Sequence, residues 1–381
     1  MSTVKKQCTK CGVSITFIVL LMISAMMGIF VKDESQSDTE NRSLQKFPEW
    51  NIASIENGEY QKSIEAYLSD QFPLRFQWVR MHSNLEYDLG KKEMNGIYIG
   101  KDDELFQKSV IPDTDMLNQK RSTINSFVKK YENLNYSMLL VPNKATIYQD
   151  KLPVNIESQD QMKIIKEFAT GLESSIKFVD GYESLKKNKK ERLYYRSDHH
   201  WTQAGAYTVF MEWKTSVLPD ESTYRYDRYA VNTSFFGTLA NASGYYRGKG
   251  DTIEISISKS DPLYYVRFLQ TKTISTSLFD KAKNEGNHPY DVFLSGNHPS
   301  IEIDTTVENQ KHLLLIKDSY ANSFVSYLLP YYHTITVIDP RYYFEDFYQL
   351  LQDHEITDVL FLYNANTFFS DNSLQNMLVE E

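Results

Sequence analysis

Short apolar segments alternate with helical segments along much of this 381-residue chain. Apolar runs typical of buried strands lie at 136–141, 176–179, 312–316, 334–338 and 358–363. Helical patterns lie at 116–131, 161–175, 202–217, 319–329 and 344–354. Strands separated by helices usually pair in parallel, and a parallel sheet is covered on both faces. The pattern therefore predicts an α/β fold with a mostly parallel sheet flanked by helices.

Residues 219–300 depart from this alternation. They are rich in Tyr, Thr, Ser and Gly, and apolar residues recur at every second position of 252–258. Such a period of two is typical of a strand with one buried face. We expect this stretch to be a β- and loop-rich insertion in the sheet domain.

An uncharged run of twenty residues, 12–31, indicates where the chain resides. A helix of this length, at about 1.5 Å per residue, matches the roughly 30 Å hydrocarbon core of a bilayer. The lysines that precede it favour a cytoplasmic N-terminus. We expect a cytoplasmic tail (1–11), a single transmembrane anchor (12–31) in the cell membrane, a stalk (32–50) and an extracytoplasmic domain (51–381). A cleaved signal peptide is the alternative, although its apolar region normally has only about 7–15 residues.

Composition narrows the classes of function. Both cysteines, Cys8 and Cys11, precede the apolar run, which excludes disulfides and cysteine-ligated metals from the main domain. The chain carries 41 Lys and Arg against 50 Asp and Glu, and a net charge of −9 argues against a nucleic-acid-binding protein. Hydrophobic residues make up 41% of the chain, enough for a substantial core.

The segment Lys317-Asp318-Ser319 follows one of the predicted strands and begins a predicted helix. Ligands of open α/β sheets bind at the carboxyl ends of parallel strands, so this serine hydroxyl is expected at a crevice. The N–H groups at the start of the helix would stabilise an oxyanion there. Asp318 or Ser319 serving only as a helix N-cap is the alternative.

A second segment, Asp198-His199-His200-Trp201, holds the groups that a serine nucleophile needs. Serine requires a base at neutral pH, and the base is oriented by a carboxylate. A helix cap with surface histidines and a metal site are the alternatives. The neighbouring 194–196 (Tyr-Tyr-Arg) suits either a sugar cleft or a strand end packed on the core.

The run Asp198-His199-His200-Trp201 resembles the signature of the DHHW proteins, which are relatives of the alginate O-acetyltransferases in the SGNH-hydrolase-like superfamily. Alginate-type enzymes carry Asp-x-His-Trp, which corresponds to Asp198, His200 and Trp201. Further similar motifs lie at 40–44, 70–75, 95–100, 141–144, 236–239, 296–299 and 317–319.

This resemblance implies a flavodoxin-like fold and a triad of Ser319 as nucleophile, His200 as base and Asp198 as the residue that orients it. Substrate and oxyanion contacts are expected among five residues. These are Gly296, Asn297, Asn322, Trp201 and Arg196. Gly296 and Asn297 as an ordinary turn is the alternative. The order of the motifs is permuted relative to ordinary SGNH esterases, and Lys317 stands where those enzymes have glycine.

The function that the resemblance implies is O-acetylation of a secreted or cell-wall polysaccharide through an acetyl-enzyme, without a cofactor or metal. Since acetyl-CoA is absent outside the cytoplasm, a multi-spanning membrane acyltransferase is the expected acetyl donor. A polysaccharide esterase or deacetylase with the same triad is one alternative. A non-catalytic glycan-binding subunit of a polymer export complex is another.

Overall fold

The computed structural model describes residues 32–37, 42–154, 156 and 160–379, with scattered positions between 14 and 30. These residues fall into two compact units. The first runs up to Lys91 and includes Ser243–Tyr245, and the second comprises Lys92–Ala242 and the chain from Tyr246 onward. The predicted tail and most of the predicted anchor lie outside the described residues. Within the described part of the chain, no helix has both the length and the apolar character that crossing a bilayer requires.

The first unit is mainly helical. Strands β1 (Gln36–Ser37) and β2 (Arg42–Ser43) pair antiparallel, and three helices follow. The helices are α1 (Ile52–Glu56), α2 (Glu59–Asp70) and α3 (Arg75–Asp88). Pro73 separates α2 from α3, because proline is excluded from a helix interior. Residues 243–245 pack on α3, where the Ser83 hydroxyl donates a 2.6 Å hydrogen bond to the Ser243 carbonyl.

The second unit contains the main sheet. Its strands are β3 (Glu93–Met94), β4 (Ile97–Ile99), β5 (Leu105–Gln107), β6 (Asn135–Val141), β7 (Ile176–Val179), β8 (Tyr226–Phe235), β9 (Asp251–Ser258), β10 (Tyr264–Phe268), β11 (Thr273–Ser275), β12 (Ser300–Thr305), β13 (His312–Lys317), β14 (Thr334–Ile338) and β15 (Asp358–Asn364). Eight of them form one sheet in the order β11-β10-β12-β14-β13-β15-β6-β7. Strands β14, β13, β15, β6 and β7 are parallel to one another.

Helices cover the sheet on both faces. They are α4 (Thr114–Lys130), α5 (Lys144–Ile147), α6 (Gln161–Thr170), α7 (Tyr182–Lys187), α8 (Gln203–Val217), α9 (Thr238–Ser243), α10 (Lys281–Asn284), α11 (Phe347–Asp353), α12 (Ala365–Ser370) and α13 (Ser373–Leu378). In β13, Leu313 and Leu315 pack into one buried cluster, whereas Leu314 and Ile316 pack into the other. A strand buried on both faces reads as a continuous apolar run, so the predicted flanked sheet is confirmed.

The sheet is mixed, which corrects the expectation of a mostly parallel one. Strand β12 pairs antiparallel with β14, β10 pairs antiparallel with β12, and β11 pairs antiparallel with β10. Strands β10 and β11 and the start of β12 come from the region expected to be an insertion. Apolar residues at every second position, Ile301 and Ile303 in β12, are buried there and extend the same core.

The predicted helix at 319–329 is wrong. Three short 3₁₀ turns replace it, at Ser319–Ser323, Val325–Tyr327 and Leu329–Tyr331. Ser and Asn side chains compete for backbone hydrogen bonds, and Pro330 lacks a donor, so this segment has little intrinsic preference for a long α-helix. The helix predicted at 202–217 is confirmed as α8, and Thr202 is its N-cap.

Candidate active site

Ser319 lies at the carboxyl end of β13, a central strand of the parallel part of the sheet. The buried Asp318 fixes the chain just before it, because its carboxylate accepts the N–H groups of Tyr320 and Asn364 at 2.9 Å each. Ser319 itself is only half-buried. Its hydroxyl is therefore held at the edge where open α/β sheets bind ligands.

A tight loop presents the Asp-His-His segment to Ser319. An isolated antiparallel bridge joins Tyr194 to Trp201 at the base of the loop. Backbone hydrogen bonds from Tyr195 to His200 (3.2 Å) and from Thr202 to Leu193 (2.9 Å) close it. Helix α8 begins immediately afterwards, so the loop is anchored at both of its ends.

The structure brings Ser319, His200 and Asp198 together in one hydrogen-bonded chain. Nε2 of His200 lies 2.8 Å from the Ser319 hydroxyl oxygen, and Nδ1 of His200 lies 2.6 Å from Oδ1 of Asp198. These are the contacts that a base needs with a nucleophile and with an orienting carboxylate. The serine is 119 residues away from the histidine along the chain. This geometry agrees with the predicted triad, whose catalytic roles stay a prediction.

The second oxygen of Asp198 is held by a segment to which the sequence assigned no role. The backbone N–H of Thr238 donates to Oδ2 at 2.7 Å, and the Thr238 hydroxyl lies 3.0 Å from the same oxygen. Gly237 makes this approach possible, since a Cβ there would stand 2.2 Å from Oδ2. Burial raises the pKa of Asp198, but His200 and His199, together with the hydrogen bonds from His200, outweigh burial and hold this pKa well below its usual range. Asp198 is therefore an anion in the folded protein.

Tyr290 fixes the plane of the His200 ring. The two rings stack with their centroids 3.8 Å apart and their planes 12° from parallel. The Tyr290 hydroxyl donates to the Ser323 hydroxyl at 3.2 Å, which anchors the tyrosine. Burial raises the pKa of Tyr290 well above its usual value, so it stays neutral. Neither its spacing nor its surroundings in the sequence indicates this role.

The metal-site alternative rests on Asp198, His199 and His200, whose ligand atoms lie within 4.8 Å of one another. Both ring nitrogens of His200 are already engaged by Asp198 and Ser319. The Nδ1 atom of His199 lies 2.6 Å from the Thr238 hydroxyl. The hydrogen bonds therefore favour the triad arrangement over metal binding.

The expected oxyanion residues meet beside β13. Nδ2 of Asn322 donates to the carbonyl of Gly296 and to Oδ1 of Asn297, at 3.2 Å each. Both N–H groups of Asn322 are thereby used. Asn297 is exposed, and its Oδ1 also accepts from Nζ of Lys317 at 3.1 Å. Because its Oδ1 accepts hydrogen bonds from both Lys317 and Asn322, the Asn297 amide directs its own N–H groups away from these two residues.

The backbone before Asn297 is strained. Leu294, Ser295 and Gly296 all have positive φ angles, of 55°, 58° and 99°. A left-handed conformation favours glycine and costs on the order of 1–3 kcal/mol at other residues. Strain of this kind persists where the surrounding structure enforces it, and it often marks a functional segment. Gly296 and Asn297 are thus more constrained than an ordinary surface turn.

Lys317 belongs to a buried charged cluster. Its Nζ lies 3.2 Å from Asp339, whose carboxylate also accepts two hydrogen bonds from Arg341, at 2.8 and 2.6 Å. Burial lowers the pKa of Lys317, while Asp339 opposes this change. Burial raises the pKa of Asp339, but Lys317 and Arg341 together outweigh burial and keep this pKa below its usual range. A lysine paired with a buried carboxylate therefore stands two residues before the serine.

Two other predicted contact residues have different surroundings. Trp201 is fully buried, and its indole N–H donates to the Tyr320 carbonyl at 3.0 Å and to the Ser323 hydroxyl at 2.9 Å. Trp201 therefore links the 198–201 segment to the segment that begins at Ser319, and none of its side chain is exposed for a substrate to contact. Arg196 is half-buried, and its guanidinium donates to the Lys249 carbonyl at 3.2 Å. Of these two side chains, only Arg196 reaches solvent.

A buried lysine supports the Asp-His loop from below. Nζ of Lys144 donates to the carbonyls of Tyr195, Arg196 and Asp198, at 2.7, 2.8 and 3.3 Å. Glu104 lies 3.8 Å from the same amine. Burial lowers the pKa of Lys144 to about 8, although Glu104 opposes this change. The motif at 141–144 contains this lysine, but its role is visible only in the structure.

Comparison with known proteins supports the resemblance. Residues 97–247 match the family model described as "SGNH hydrolase-like domain, acetyltransferase AlgX". A protein of Pseudomonas aeruginosa described as "Probable alginate O-acetylase AlgJ" is 24% identical over 177 residues, which are 44% of this chain and 45% of that protein. Its counterpart in Pseudomonas fluorescens is 23% identical over 164 residues, which are 40% and 41% of the two chains. This chain thus matches less than half the length of these curated relatives.

Solved structures share the fold. A DHHW family protein from Eubacterium siraeum superposes with a TM-score of 0.65 at 24% identity, covering 76% of this chain and 98% of that one. PatB1 of Bacillus cereus superposes with a TM-score of 0.62 at 22% identity, covering 75% and 99%. The resemblance predicted from the motifs is therefore confirmed: the chain is similar to the SGNH hydrolase-like domain of AlgX, to probable alginate O-acetylases and, in its fold, to a DHHW family protein.

Proposed function

We propose that this protein is an extracytoplasmic O-acetyltransferase, anchored by residues 12–31, that acetylates a secreted or cell-wall polysaccharide. The observation that carries the proposal is the hydrogen-bonded chain from the Ser319 hydroxyl through His200 to Asp198. The relatives described as probable alginate O-acetylases point to the same class of reaction. The half-buried Ser319 leaves room for an acyl group to approach.

The first half-reaction loads the serine. The Ser319 hydroxyl oxygen attacks the carbonyl carbon of an acetyl ester while Nε2 of His200 takes the hydroxyl proton. The tetrahedral intermediate collapses, the donor oxygen leaves, and His200 returns the proton to it. Asp198 stays ionised throughout and stabilises the imidazolium that forms. An acetyl-serine remains.

The second half-reaction transfers the acetyl group. A sugar hydroxyl gives its proton to His200 and attacks the acetyl-serine, and the proton then returns to the Ser319 oxygen as the ester bond to the enzyme breaks. The backbone N–H of Ser319 and the side-chain amide of Asn297 are the proposed donors to the oxyanion. One such donor is typically worth about 10²–10³ in turnover.

The proposed acetyl donor is a multi-spanning membrane acyltransferase that passes the acetyl group across the bilayer. The proposed anchor would keep Ser319 on the same side of the membrane as the polymer. Hydrolysis by the same triad differs only in the acceptor, since water then replaces the sugar hydroxyl. The experiment must therefore include an acceptor.

The test uses purified protein and p-nitrophenyl acetate, with and without an oligosaccharide. We expect slow acetate release, faster turnover with the acceptor, and acetylated sugar detectable by mass spectrometry. Ser319→Ala should abolish nearly all turnover, because members of a triad act as a unit. A sulfonyl fluoride should label Ser319, and a sulfonyl adduct of PatB1 is known.

Ser326→Ala is the matched control. Ser326 lies in the same segment, is buried, and its hydroxyl has no hydrogen-bond partner among the described residues. Its removal should leave turnover unchanged. Full activity in Ser319→Ala would contradict the covalent mechanism. Acetate release without acetylated sugar, across a range of acceptors, would identify an esterase instead.

A further inference from the structure

Helix α3 of the first unit packs by one face on residues 243–245 and exposes large apolar side chains on another face. On the packed face, Val79 and Ser83 contact the segment at residues 243–245, so closely that a Cβ on Gly244 would stand 2.9 Å from the Ser83 hydroxyl oxygen and 3.1 Å from Val79. The helix is therefore seated on its own unit by this face.

The second face carries five large apolar side chains in the helical spacing of three and four residues, here named the α3 stripe. They are Leu74, Trp78, Met81, Leu85 and Leu89. Their exposed fractions are 58%, 37%, 57%, 59% and 76%. At 100° per residue these positions fall on one side of the helix. Single exposed apolar residues are ordinary, whereas a contiguous row of this length marks an interaction surface.

The start of the stripe is tied to the end of the 12–31 run. The Tyr67 hydroxyl donates to Asp33 at 3.0 Å, and the Gln71 side chain exchanges hydrogen bonds with the backbone of Glu34 at 2.9 and 3.1 Å. Residues 33 and 34 lie two and three positions after the end of the run, and the stripe begins three residues after Gln71. Three residues reach at most about 11 Å. If 12–31 spans a bilayer, α3 begins close to the membrane surface.

The charge around the stripe suits anionic lipid. Residues 74–92 hold four basic side chains against two acidic ones, in a chain whose net charge is −9. Lys91 pairs with Glu86 at 2.5 Å, so Arg75, Arg80 and Lys92 supply the excess positive charge. A helix that exposes Trp, Leu and Met on one face within a basic segment has the composition of helices that lie in the membrane interface. Anionic headgroups attract such a segment and orient the rest of the acidic protein away from the surface.

We propose that the α3 stripe lies in the surface of an anionic phospholipid bilayer, beside the membrane exit of the proposed anchor. This inference rests on the anchor put forward under the proposed function and is independent of the triad chemistry. In this arrangement the first unit contacts the membrane surface through α3. Two attachments, a spanning segment and an interfacial helix, restrict rotation about the anchor more than a single span does.

The test uses the full chain with Cys8 and Cys11 replaced by serine and one new cysteine, Leu85→Cys, labelled with an environment-sensitive fluorophore. The protein is reconstituted into vesicles containing phosphatidylglycerol and, separately, into phosphatidylcholine vesicles. We expect a shift of emission to shorter wavelength and quenching by lipid-borne quenchers, both stronger with phosphatidylglycerol. A label at the exposed Ser175 of the second unit should show neither effect.

A second variant separates the stripe from the anchor. In the same labelled chain, Trp78→Gln with Met81→Gln should remove the shift while the protein still floats with vesicles, since both side chains reach solvent and the anchor is unchanged. An unshifted Leu85 label in floating protein would overturn the proposal. A shift that appears in detergent and grows with protein concentration would assign the stripe to a second copy instead. Protein that does not float would refute both the anchor and this inference. The triad is tested separately, by the turnover of p-nitrophenyl acetate.

Discussion

Nζ of Lys317 lies 3.1 Å from Oδ1 of Asn297, and it is held there by the carboxylate of Asp339. Ordinary SGNH esterases have glycine at the position of Lys317. The lysine therefore links a buried ion pair to the amide proposed to stabilise the oxyanion. Its effect on the reaction is expected to pass through Asn297, which makes Lys317 a positioning residue.

Lys317→Met should lower turnover of p-nitrophenyl acetate by about 10²-fold with little change in KM. The reason is that the Asn297 amide is no longer held in place to donate a hydrogen bond to the oxyanion in the transition state. Asp339 keeps Arg341 as a partner, so the variant should fold. The control is Lys120→Met, since Lys120 is also a buried lysine but donates to the carbonyls of Phe368 and Asp371. It should lose stability without losing turnover per folded molecule. Normal turnover in folded Lys317→Met would remove Lys317 from the proposal.

Gly237→Ala should nearly abolish turnover. The added Cβ would stand 2.2 Å from Oδ2 of Asp198, so the carboxylate must move away from His200. Loss of the orienting residue of a triad is expected to cost about 10³–10⁴ in turnover. Gly286→Ala is the matched control, because its nearest contact would be 3.3 Å. Circular dichroism verifies the fold, and a fully active Gly237→Ala enzyme would contradict the role given to Asp198.

Tyr290 offers a test of ring stacking on the base. Tyr290→Phe keeps the ring against His200 and loses the hydrogen bond to Ser323, so its turnover should stay within about threefold of the wild type, a loss equivalent to less than 1 kcal/mol. Tyr290→Leu removes the aromatic face and should reduce turnover by about tenfold or more, through lost orientation of the imidazole. Equal activity of the two variants would show that stacking does not matter.

The pH dependence of stability follows from Asp198. Its pKa is held below the usual range in the folded protein, whereas an unfolded aspartate has a pKa of about 3.9. As pH falls through about 4, the unfolded chain therefore takes up the proton first. The ionised Asp198 carboxylate therefore stabilises the folded state fully at pH values above about 4, and this stabilisation is lost progressively as the pH falls further.

Denaturant unfolding at about pH 6 and about pH 3 measures this effect. The wild type should lose about 1 kcal/mol more than Asp198→Asn across this interval, since the amide does not titrate. Identical losses in the two proteins would mean that Asp198 is not anionic in the folded state, and would contradict the charge assigned to the triad.

Much of the second unit could be predicted because its parallel strands are buried on both faces. Runs such as 313–316 and 359–362 are apolar at every position, as is typical of short strands buried on both faces. The antiparallel extension by β10 and β12 was predicted only as β-structure. Its strands are short and partly polar, so their place in the main sheet depends on long-range pairing that local patterns do not carry.

The site was predictable where chemistry and motif coincide. Asp198, His200 and Ser319 are residue types with few alternative reasons to occur in such motifs, and the resemblance linked segments 119 residues apart. Tyr290 was missed because an aromatic side chain usually serves packing, and stacking on His200 depends on the folded arrangement of two loops. The 3₁₀ turns after Ser319 were missed because the apolar spacing of 319–329 also fits an α-helix.

Strand β15 is the last strand of the described chain, yet it lies in the middle of the sheet between β13 and β6. The edge of β6 that pairs with β15 therefore stays unpaired until β15 is synthesised, some 180 residues after the end of β7. Contacts of such long sequence separation slow folding, and the unpaired strand edge is prone to aggregation until the contact forms. We expect the nascent chain to depend on chaperones until β15 has been synthesised, and to acquire esterase activity only after that point.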